Sequence, residues 1–352
     1  MKLIKTVEAE GAVLCHDITQ IIKGVVKDAV FRKGHVVTKA DIPVLLRAGK
    51  EQLYVWEKED GMLHEDEAAK ILCGLCQGEH MERSEAKEGK IELTAGCDGL
   101  LKVHSAGMKA VNGFGQMMVA SRHGNFPVKK GEKLAGTRII PLMIAEEKMR
   151  AAKEAALAAS GGRPILELKP FSHKKAGIIT TGNEVYYGRI QDTFTPVVKE
   201  KLKAFDTEII GHVTRKDDDG EVTKSILEMI GKGADLVVCT GGMSVDPDDK
   251  TPLAIQNTGA RIVSYGAPVL PGAMFLLAYY RQDMAQSPRT VAVMGLPGCV
   301  MYAKRTIFDL ILPRVMADDE VTAEELAALG EGGLCLDCPE CTFPNCGFGK
   351  GR

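Results

Sequence analysis

The second half of the chain alternates between two patterns of hydrophobic and polar residues. Short apolar runs rich in β-branched side chains predict buried strands, and Leu236–Cys239 is the clearest of them. Between these runs, apolar residues recur at helical spacing. Predicted strands are Ala176–Thr180, Glu208–Val213, Leu236–Cys239, Arg261–Ser264, Met274–Tyr280 and Thr290–Met294, and predicted helices run from Asp192 or Thr193 to Phe205, over Val222–Ile230 and over Val300–Leu312. This alternation predicts an α/β domain.

Residues 1–162 show short strands broken by glycine and are predicted to form a smaller, mixed α+β region. The predicted strands are Phe31–Val37, Gln52–Trp56, Ile91–Leu93, Leu100–His104 and Thr137–Ile144. Thr38 with Asp41 predicts the start of a short helix, and His64–Cys76 and Ala145–Ser160 predict longer ones. The sequence Gly161-Gly-Arg-Pro164 predicts a hinge before the second domain.

The composition of the 352 residues indicates which partners and which cellular compartment to expect. With 45% hydrophobic residues, 26% charged residues and a net charge of −2, it offers no electrostatic argument for nucleic acid or an acidic membrane surface as a partner. The chain has no apolar run of membrane-spanning length, and its N-terminus does not resemble a signal peptide. Ten cysteines in such a chain predict reduced thiols or metal ligands in a cytoplasmic protein.

Candidate chemistry is concentrated directly after the Leu236–Cys239 strand. Thr240, Gly241 and Gly242 permit a sharp turn whose N–H groups can face an anion. Three aspartates follow, Asp246, Asp248 and Asp249, and Thr251-Pro252 predicts a helix start. Backbone donors beside carboxylates suit a phosphorylated ligand held with a metal ion. The alternative is a tight turn followed by a solvated acidic loop.

Two further strands end in similar turns. The Ala176 strand leads into Thr181-Gly-Asn-Glu184, and the Thr290 strand leads into Gly295-Leu-Pro-Gly298. The carboxyl ends of parallel strands line one edge of a sheet, and ligands bind at this edge. The three turns together predict a ligand site there.

These segments resemble the molybdenum-cofactor biosynthesis (molybdopterin-binding) domain family over about residues 174–316, and the chain is most similar to the molybdopterin molybdenumtransferases. Thr181-Gly-Asn-Glu184 looks like the family's Thr-Gly-Asp-Glu turn, and Gly188-Arg-Ile-Gln-Asp192 looks like its Gly-x-Ile-x-Asp segment. Gly241-Gly-Met-Ser244 with Asp249 resembles Gly-Gly-x-Ser-x-Gly-x-x-Asp, and Gly295-Leu-Pro-Gly298 resembles Gly-Leu-Pro-Gly-Asn. Residues 31–49 resemble a segment of the multidomain transferases.

The resemblance implies a three-layer α/β/α domain with a mostly parallel sheet, and a homo-oligomeric protein. It implies metal insertion into molybdopterin, with molybdopterin or adenylylated molybdopterin and molybdate as ligands, and with Mg²⁺ as cofactor. The implied catalytic residues are Asp249, Asp218 and Glu184, and the implied Mg²⁺ ligands are Asp218, Asp246 and Asp249. The implied cofactor-binding residues are Thr181, Gly182, Asp192, Gly241, Gly242, Ser244, Pro271, Gly272, Pro297 and Gly298.

The chain departs from the family pattern at four positions. Asp246 replaces a glycine, Cys299 an asparagine, Phe194 an asparagine and Leu270 a lysine. Loss of the lysine removes a ligand for phosphate or another oxyanion.

Other functions remain open at this point. Asp249-Lys-Thr-Pro252 is similar to the ending of the molybdopterin adenylyltransferases, which predicts ATP-dependent adenylylation as an alternative reaction. A non-catalytic molybdopterin carrier or sensor is a second alternative. Nucleotide metabolism is a third, because this α/β domain also occurs fused to amidohydrolases.

The tail, residues 331–352, holds four cysteines within twelve positions: Cys335, Cys338, Cys341 and Cys346. The spacing Cys-x2-Cys-x2-Cys-x4-Cys lets four sulfurs converge on one centre. It differs by one residue from a ferredoxin run, and four thiolates also suit structural Zn²⁺. The tail therefore predicts an iron–sulfur cluster or Zn²⁺, with an unligated disordered redox segment as the alternative.

Overall fold

The computed structural model describes residues 2–22, 26–55, 60–244, 246–282 and 288–351. Within these ranges the strands are β1 (Lys2–Lys5), β2 (Ile18–Ile22), β3 (Val26–Phe31), β4 (Gln52–Val55), β5 (Met62–His64), β6 (Met81–Arg83), β7 (Lys90–Ala95), β8 (Gly99–Val103), β9 (Met117–Ser121), β10 (Phe126–Val128), β11 (Lys133–Ile139), β12 (Met143–Ala145), β13 (Leu166–Pro170), β14 (Lys175–Thr181), β15 (Glu208–Arg215), β16 (Leu236–Thr240), β17 (Arg261–Tyr265), β18 (Leu276–Gln282) and β19 (Arg289–Leu296).

The helices in the same ranges are α1 (Ile42–Arg47), α2 (Glu65–Cys76), α3 (Ser105–Asn112), α4 (Glu146–Ser160), α5 (Asn183–Tyr186), α6 (Phe194–Lys203), α7 (Asp219–Gly231), α8 (Thr251–Asn257), α9 (Ile307–Met316) and α10 (Ala323–Ala328). Two short 3-10 helices cover Thr6–Glu8 and Gly298–Met301. No helix in the described ranges is long and apolar enough to cross a membrane.

The chain forms two compact units. The first comprises residues 1–97, 103–122 and 130–168, and the second comprises residues 98–102, 123–129 and 169–352. The predicted hinge at Gly161 is the end of α4, where Gly161 takes a left-handed φ of 64°. The chain passes from one unit to the other later, within β13.

The first unit is built from small antiparallel sheets and helices. Strands β6, β7, β11 and β9 form one four-stranded sheet in that order, and β1–β4, β2–β3 and β12–β5 form pairs. Helix α2 begins at a capping box in which the His64 side chain accepts from Asp66 N while the Glu67 carboxylate accepts from His64 N. Helix α4 packs against α3, since Gly107 of α3 comes close to Ser160.

The second unit contains a six-stranded sheet in the order β15-β14-β16-β19-β18-β17. Strands β15, β14, β16 and β19 are parallel, and β18 and β17 are antiparallel to their neighbours. Alternate residues face opposite sides, as strand geometry requires. Ile178 and Val238 pack with α6 and α9, whereas Ile179 and Val237 pack with α7 and α8. This arrangement confirms the predicted three-layer α/β/α domain with a mostly parallel sheet.

Two predicted strands of the first region were wrong in extent, each for a local reason. The strand predicted over Phe31–Val37 shares only Phe31 with the observed strand β3, which ends there. The chain then turns at Gly34, which has a φ of 85°. The strand predicted over Thr137–Ile144 divides into β11 and β12, with Pro141 between them. Trp56, the predicted end of the strand that became β4, lies outside the described residues.

The helix predicted to start at Val300 starts at Ile307 instead. Thr306 and Asp309 form a capping box: the Asp309 carboxylate accepts from Thr306 N at 2.9 Å, and Thr306 Oγ1 accepts from Phe308 N at 3.2 Å. This cap fixes the first turn of α9, whereas Val300 belongs to the separate 3-10 helix over Gly298–Met301.

Candidate functional site

The candidate site lies at the edge of the sheet where the four parallel strands end. Strands β14, β16 and β19 are adjacent and in register, with Thr180 opposite Thr240 and Thr240 opposite Leu296. The turns that follow these strands therefore share one edge, as the sequence predicted.

The turn after β16 is built from two glycines in the left-handed region. Gly241 has a φ of 84° and Gly242 a φ of 59°. A Cβ on Gly241 would lie 2.2 Å from the Thr181 carbonyl oxygen, and one on Gly242 would lie 2.7 Å from Thr251 Oγ1. Both positions thus require glycine, and the turn lies directly against the end of β14.

Hydroxyl groups join this turn to the neighbouring strand and helix. Thr251 Oγ1 donates to the Gly241 carbonyl at 2.9 Å and lies 3.2 Å from Thr181 Oγ1. Ser244 N donates to Asp249 Oδ2 at 2.7 Å, which closes the loop upon itself. Met243 is buried, with its sulfur packed against Gly295 of β19. These contacts fix both ends of the loop, and Thr251 begins α8 as predicted.

Asp192 is held at the start of α6 by a buried polar cluster. Its Oδ1 accepts from Phe194 N at 2.9 Å and Thr195 N at 3.0 Å, and its Oδ2 accepts from Thr180 Oγ1 at 3.2 Å. Burial alone would raise the pKa of Asp192, but the hydrogen bonds from Thr195, Phe194 and Thr180 hold this pKa below its usual value. Asp192 is thus a fixed anion that precedes the N-cap residue Thr193 and accepts from the first two N–H groups of α6.

His212, which the sequence analysis did not select, completes this cluster. Its Nε2 lies 3.0 Å from Thr180 Oγ1, 3.2 Å from Thr195 Oγ1 and 3.7 Å from Asp192 Oδ2. Burial and then Lys199 lower the pKa of His212, which favours the neutral imidazole. The signal in the sequence was a histidine among the apolar residues that follow Glu208 in the predicted strand Glu208–Val213.

Asp217 is a second residue that the sequence analysis missed. Its Oδ2 accepts from Asn183 N at 2.9 Å, which ties the end of β15 to the turn after β14. Burial raises the pKa of Asp217, and the charges of Glu184, Asp249 and Asp248 raise it further. The charges of three carboxylates from two neighbouring loops therefore act on Asp217, and these four side chains are called the carboxylate cluster below.

The neighbouring Asp218 has a different environment. Its Oδ1 accepts from Glu221 N at 2.8 Å and caps α7. A carboxylate at the start of a helix is commonly used in this way. The structure therefore places Asp217 in the carboxylate cluster and Asp218 at the helix cap.

Two further turns contain the remaining candidate residues. Gly272 has a φ of 137°, and a Cβ there would lie 2.5 Å from Ile307 Cγ2, so the Pro271–Gly272 backbone packs on the start of α9. Pro297 and Gly298 open the 3-10 helix after β19, and a Cβ on Gly298 would meet no atom within 4 Å. This 3-10 helix packs against α6, with Met301 Sδ 3.0 Å from Thr193 Oγ1.

Comparison with known proteins identifies the domain that contains these turns. Residues 177–317 match the family model described as "probable molybdopterin binding domain". These residues belong to the molybdopterin-binding domain family. Residues 3–57 match a model described only as a domain of unknown function.

Curated proteins with sequence similarity to this chain include a molybdopterin molybdenumtransferase and a CinA-like protein. A molybdopterin molybdenumtransferase of Haemophilus influenzae is 28% identical over 158 residues, which cover 43% of this chain and 37% of the relative. A CinA-like protein of Mycolicibacterium vanbaalenii is 35% identical over 78 residues, which cover 22% of this chain and 18% of the relative. Each match covers a minor part of the relative.

Solved structures with similarity to this chain include the tungsten cofactor synthesizing protein MoaB from Pyrococcus furiosus. It has 25% identity and a TM-score of 0.34, and the match covers 41% of this chain and 93% of that one. The molybdopterin biosynthesis enzyme MoaB from Thermus thermophilus has 18% identity and a TM-score of 0.31, with 40% and 91% of the two chains covered.

In the molybdopterin-binding domain, the predicted pterin-binding residues after β14, β16 and β19 therefore share one edge, and Asp249 and Glu184 share the carboxylate cluster. Asp246 contributes its carbonyl, which accepts from Asp249 N at 3.0 Å. Among the residues that the structure describes, no three His, Cys, Asp or Glu side chains converge on a point suited to a single metal ion.

The tail cysteines lie in the second unit, around one cavity. Cys335, Cys338, Cys341 and Cys346 all line a cavity of about 390 Å³. Cys335 and Cys346 are half-buried, and Cys338 and Cys341 are exposed. The backbone hydrogen bond from Phe343, and then Arg305, lower the pKa of Cys341. The tail is folded upon the domain, with Phe348 buried in its core.

Proposed function

We propose that this chain binds molybdopterin at the carboxyl edge of the six-stranded sheet and catalyses Mg²⁺-dependent insertion of metal into molybdopterin or adenylylated molybdopterin. One observation carries the proposal: three glycine turns of a molybdopterin-binding domain lie side by side at this edge, next to a cluster of carboxylates. The turns offer backbone to an anionic group, and the carboxylates offer oxygen ligands to a cation.

The pterin and its phosphate would contact the turns. Glycine turns and hydroxyl groups at strand ends suit a phosphate, because N–H and O–H donors can approach it closely. The residues assigned to this role are Thr181, Gly182, Asp192, Gly241, Gly242, Ser244, Pro271, Gly272, Pro297 and Gly298. Thr181 and Thr251 fix the relative position of two of these turns through their hydroxyl contact.

Mg²⁺ is usually bound by one or two carboxylates together with substrate phosphates, so it does not need the three converging carboxylates that the described residues of this edge lack. Asp249, with Asp217 or Glu184 and the phosphate of the ligand, would hold the ion, which would screen the charge between the phosphate and an incoming molybdate. We assign Asp217 to this role, rather than its neighbour Asp218, because the Asp218 carboxylate caps α7. Asp246 would contribute from the loop. Glu184 also stands against Gly182 and would position the pterin or act as a base.

Adjacent carboxylates provide a matched test of this proposal. Asp249→Asn and Asp217→Asn each keep a side-chain oxygen that can accept the observed hydrogen bond but lose a charge and a metal ligand. We expect each to lower Mg²⁺-dependent turnover of molybdopterin about a hundredfold while the protein stays folded. Asp218→Asn keeps the helix cap, since asparagine caps as well as aspartate, and is expected to retain turnover. Normal turnover in Asp249→Asn and Asp217→Asn would show that this edge is not the site.

Adenylylation of molybdopterin is the second candidate reaction. It is favoured by Asp249-Lys-Thr-Pro252, in which Thr251 both starts α8 and donates to the glycine turn. Incubation with molybdopterin and Mg-ATP distinguishes the two reactions, because adenylylation releases pyrophosphate whereas metal insertion requires molybdate. Tight binding of molybdopterin with neither reaction would identify a carrier or sensor.

A further inference from the structure

The four tail cysteines surround a cavity, and the proposed function uses none of their thiols. The cavity of about 390 Å³ is lined by Cys335, Cys338, Cys341 and Cys346, together with Lys304 and Arg305 from the loop before α9. Four thiols on the wall of one cavity, with two cations beside them, form a set of ligands suited to a metal centre.

The tail is held in place by contacts that involve no metal. Leu270 N donates to the Gly333 carbonyl and Cys335 N donates to the Leu270 carbonyl, both at 2.8 Å. Further along, Gly349 N donates to the Gly332 carbonyl at 2.9 Å, which closes the tail into a loop. These backbone contacts therefore hold the tail against the domain beside the cavity.

Aromatic packing fixes the middle of this loop. The Phe343 ring lies 5.7 Å from that of Phe126 and 6.2 Å from that of Phe348, and the Arg305 guanidinium lies 4.8 Å above it. Phe348 is 4% exposed, so the end of the tail is anchored in the hydrophobic core. These contacts lie between and beyond the third and fourth cysteines and explain how a four-residue spacer can keep both at the same cavity.

The loop before α9 supplies groups that suit an anionic centre. Lys304 Nζ donates to the carbonyls of Cys338 and Pro339 at 3.0 and 3.1 Å, and Arg305, whose guanidinium lies above the Phe343 ring, lines the same cavity as Cys341. Hydrogen bonds and positive charge around thiolate sulfur stabilise iron–sulfur clusters, whose thiolate-ligated form is anionic.

The surroundings of the thiols favour a cluster over a single ion. The cysteine spacing differs by one residue from a ferredoxin run, and Lys304 and Arg305 place positive charge at the cavity wall. In the described ranges, which include all four tail cysteines, no three Cys, His, Asp or Glu side chains converge on a point that could hold a metal ion, so binding of either centre requires the thiol side chains to turn towards it. We propose that Cys335, Cys338, Cys341 and Cys346 ligate a [4Fe–4S] cluster in this cavity.

The cluster would lie beside one of the candidate pterin turns. Pro271 of the Pro271–Gly272 turn also lines the cavity, and the strand-like bridge between Leu270 and Leu334 joins the tail to this turn. This position makes the centre part of the molybdopterin-binding unit. Ligation by the tail depends on the tail alone and holds whether or not the reaction proposed above is correct.

The test is metal analysis of the full chain, purified without exposure to oxygen and reconstituted with iron and sulfide. We expect about four iron and four sulfide per chain and absorbance near ~400 nm that bleaches on reduction. One Zn²⁺ per chain with no iron uptake would overturn the proposal in favour of a mononuclear site. Protein that takes up neither metal would overturn it as well.

Variants separate ligation from folding. Cys338→Ser with Cys341→Ser replaces two exposed thiols, so the fold should survive, and we expect loss of the ~400 nm absorbance and of nearly all bound iron. Cys97→Ser, a half-buried cysteine of the first unit, is the matched control and should retain the full iron content. Equal iron content in the double variant and the control would refute ligation by the tail.

Discussion

The turn after β16 gives a prediction in which steric and conformational effects can be separated. Gly241 has a φ of 84°, and a Cβ there would lie 2.2 Å from the Thr181 carbonyl oxygen and 3.0 Å from the carbonyl carbon. Both contacts are with the backbone of β14, which is hydrogen-bonded within the sheet and cannot move without loss of strand pairing. Gly241→Ala should therefore disturb the edge that we assign to molybdopterin.

The chain offers a matched control near the other end of the same strand. Gly233 precedes β16 and also has a left-handed φ, 98°, but a Cβ there would meet no atom within 4 Å. Gly233→Ala should cost only the conformational penalty, about 1–2 kcal/mol. Gly241→Ala should cost that penalty and a further ~1–3 kcal/mol for the overlap with Thr181. The difference between the free energies of unfolding of the two variants therefore gives the cost of the steric overlap with Thr181.

Urea unfolding measures the free energy of both variants, provided that the slope with denaturant is unchanged. We expect Gly241→Ala to be the less stable of the two and to lose at least about tenfold in molybdopterin affinity, a change of ~1.4 kcal/mol. Gly233→Ala should bind as the wild type does. If the two alanine variants are equally stable and bind equally well, the close approach of the turn to β14 is not what shapes the site.

Three further predictions concern charge and assembly. The Asp319 carboxylate is paired with Arg314, Lys102 and Lys169, and these cations hold its pKa at about 2 despite burial. Asp319→Asn should therefore lower the free energy of unfolding by about 3–5 kcal/mol. In the wild type, the contribution of this carboxylate to stability should be lost as the pH falls from about 4 through about 2. Burial, and then the charge of Asp66, raise the pKa of Glu65 to about 7. Ionisation of Glu65 therefore destabilises the folded protein as the pH rises. Between about pH 5 and pH 8, the free energy of unfolding of the wild type should fall by ~3 kcal/mol relative to that of Glu65→Gln, as urea unfolding at the two pH values would measure. Sedimentation should show a homo-oligomer, as the resemblance implies; a single species of 38.0 kDa would contradict this.

The sequence predicted the strands of the second unit well, because a local pattern of apolar residues marks each strand along the chain. Strands β14, β16 and β19 are short apolar runs that end in glycine turns, and the structure departs from their predicted bounds by only a few residues at either end. The same patterns placed Thr181, Gly241 and Pro297 at strand ends, which was sufficient to predict that they share an edge.

The sequence could not distinguish Asp217 from Asp218. Both follow β15, and either could cap a helix; which carboxylate faces the neighbouring turn depends on the direction in which the strand ends, and this is fixed by the hydrogen bond to Asn183. His212 was missed for a similar reason, since its contacts with Thr180 and Thr195 come from segments distant in sequence.

The packing of the tail on the domain could not be predicted from the sequence. Its cysteine spacing predicted a metal centre, but the packing of Phe343 on Phe126 and the bridge from Leu270 to Leu334 are long-range contacts that no local pattern indicates. These contacts determine that all four thiols face one cavity. Similarly, residues 98–102 and 123–129 belong to the second unit although the first unit surrounds them in sequence.

Mass spectrometry of the small molecules bound to the protein, prepared anaerobically and equilibrated with molybdopterin, tests the assignment of the strand edge. We expect wild-type protein and Gly233→Ala to retain molybdopterin or its adenylylated form through gel filtration, whereas Gly241→Ala releases it. Wild-type protein that retains no pterin, or a Gly241→Ala variant that retains as much as the wild type, would contradict the assignment of this strand edge as the molybdopterin site.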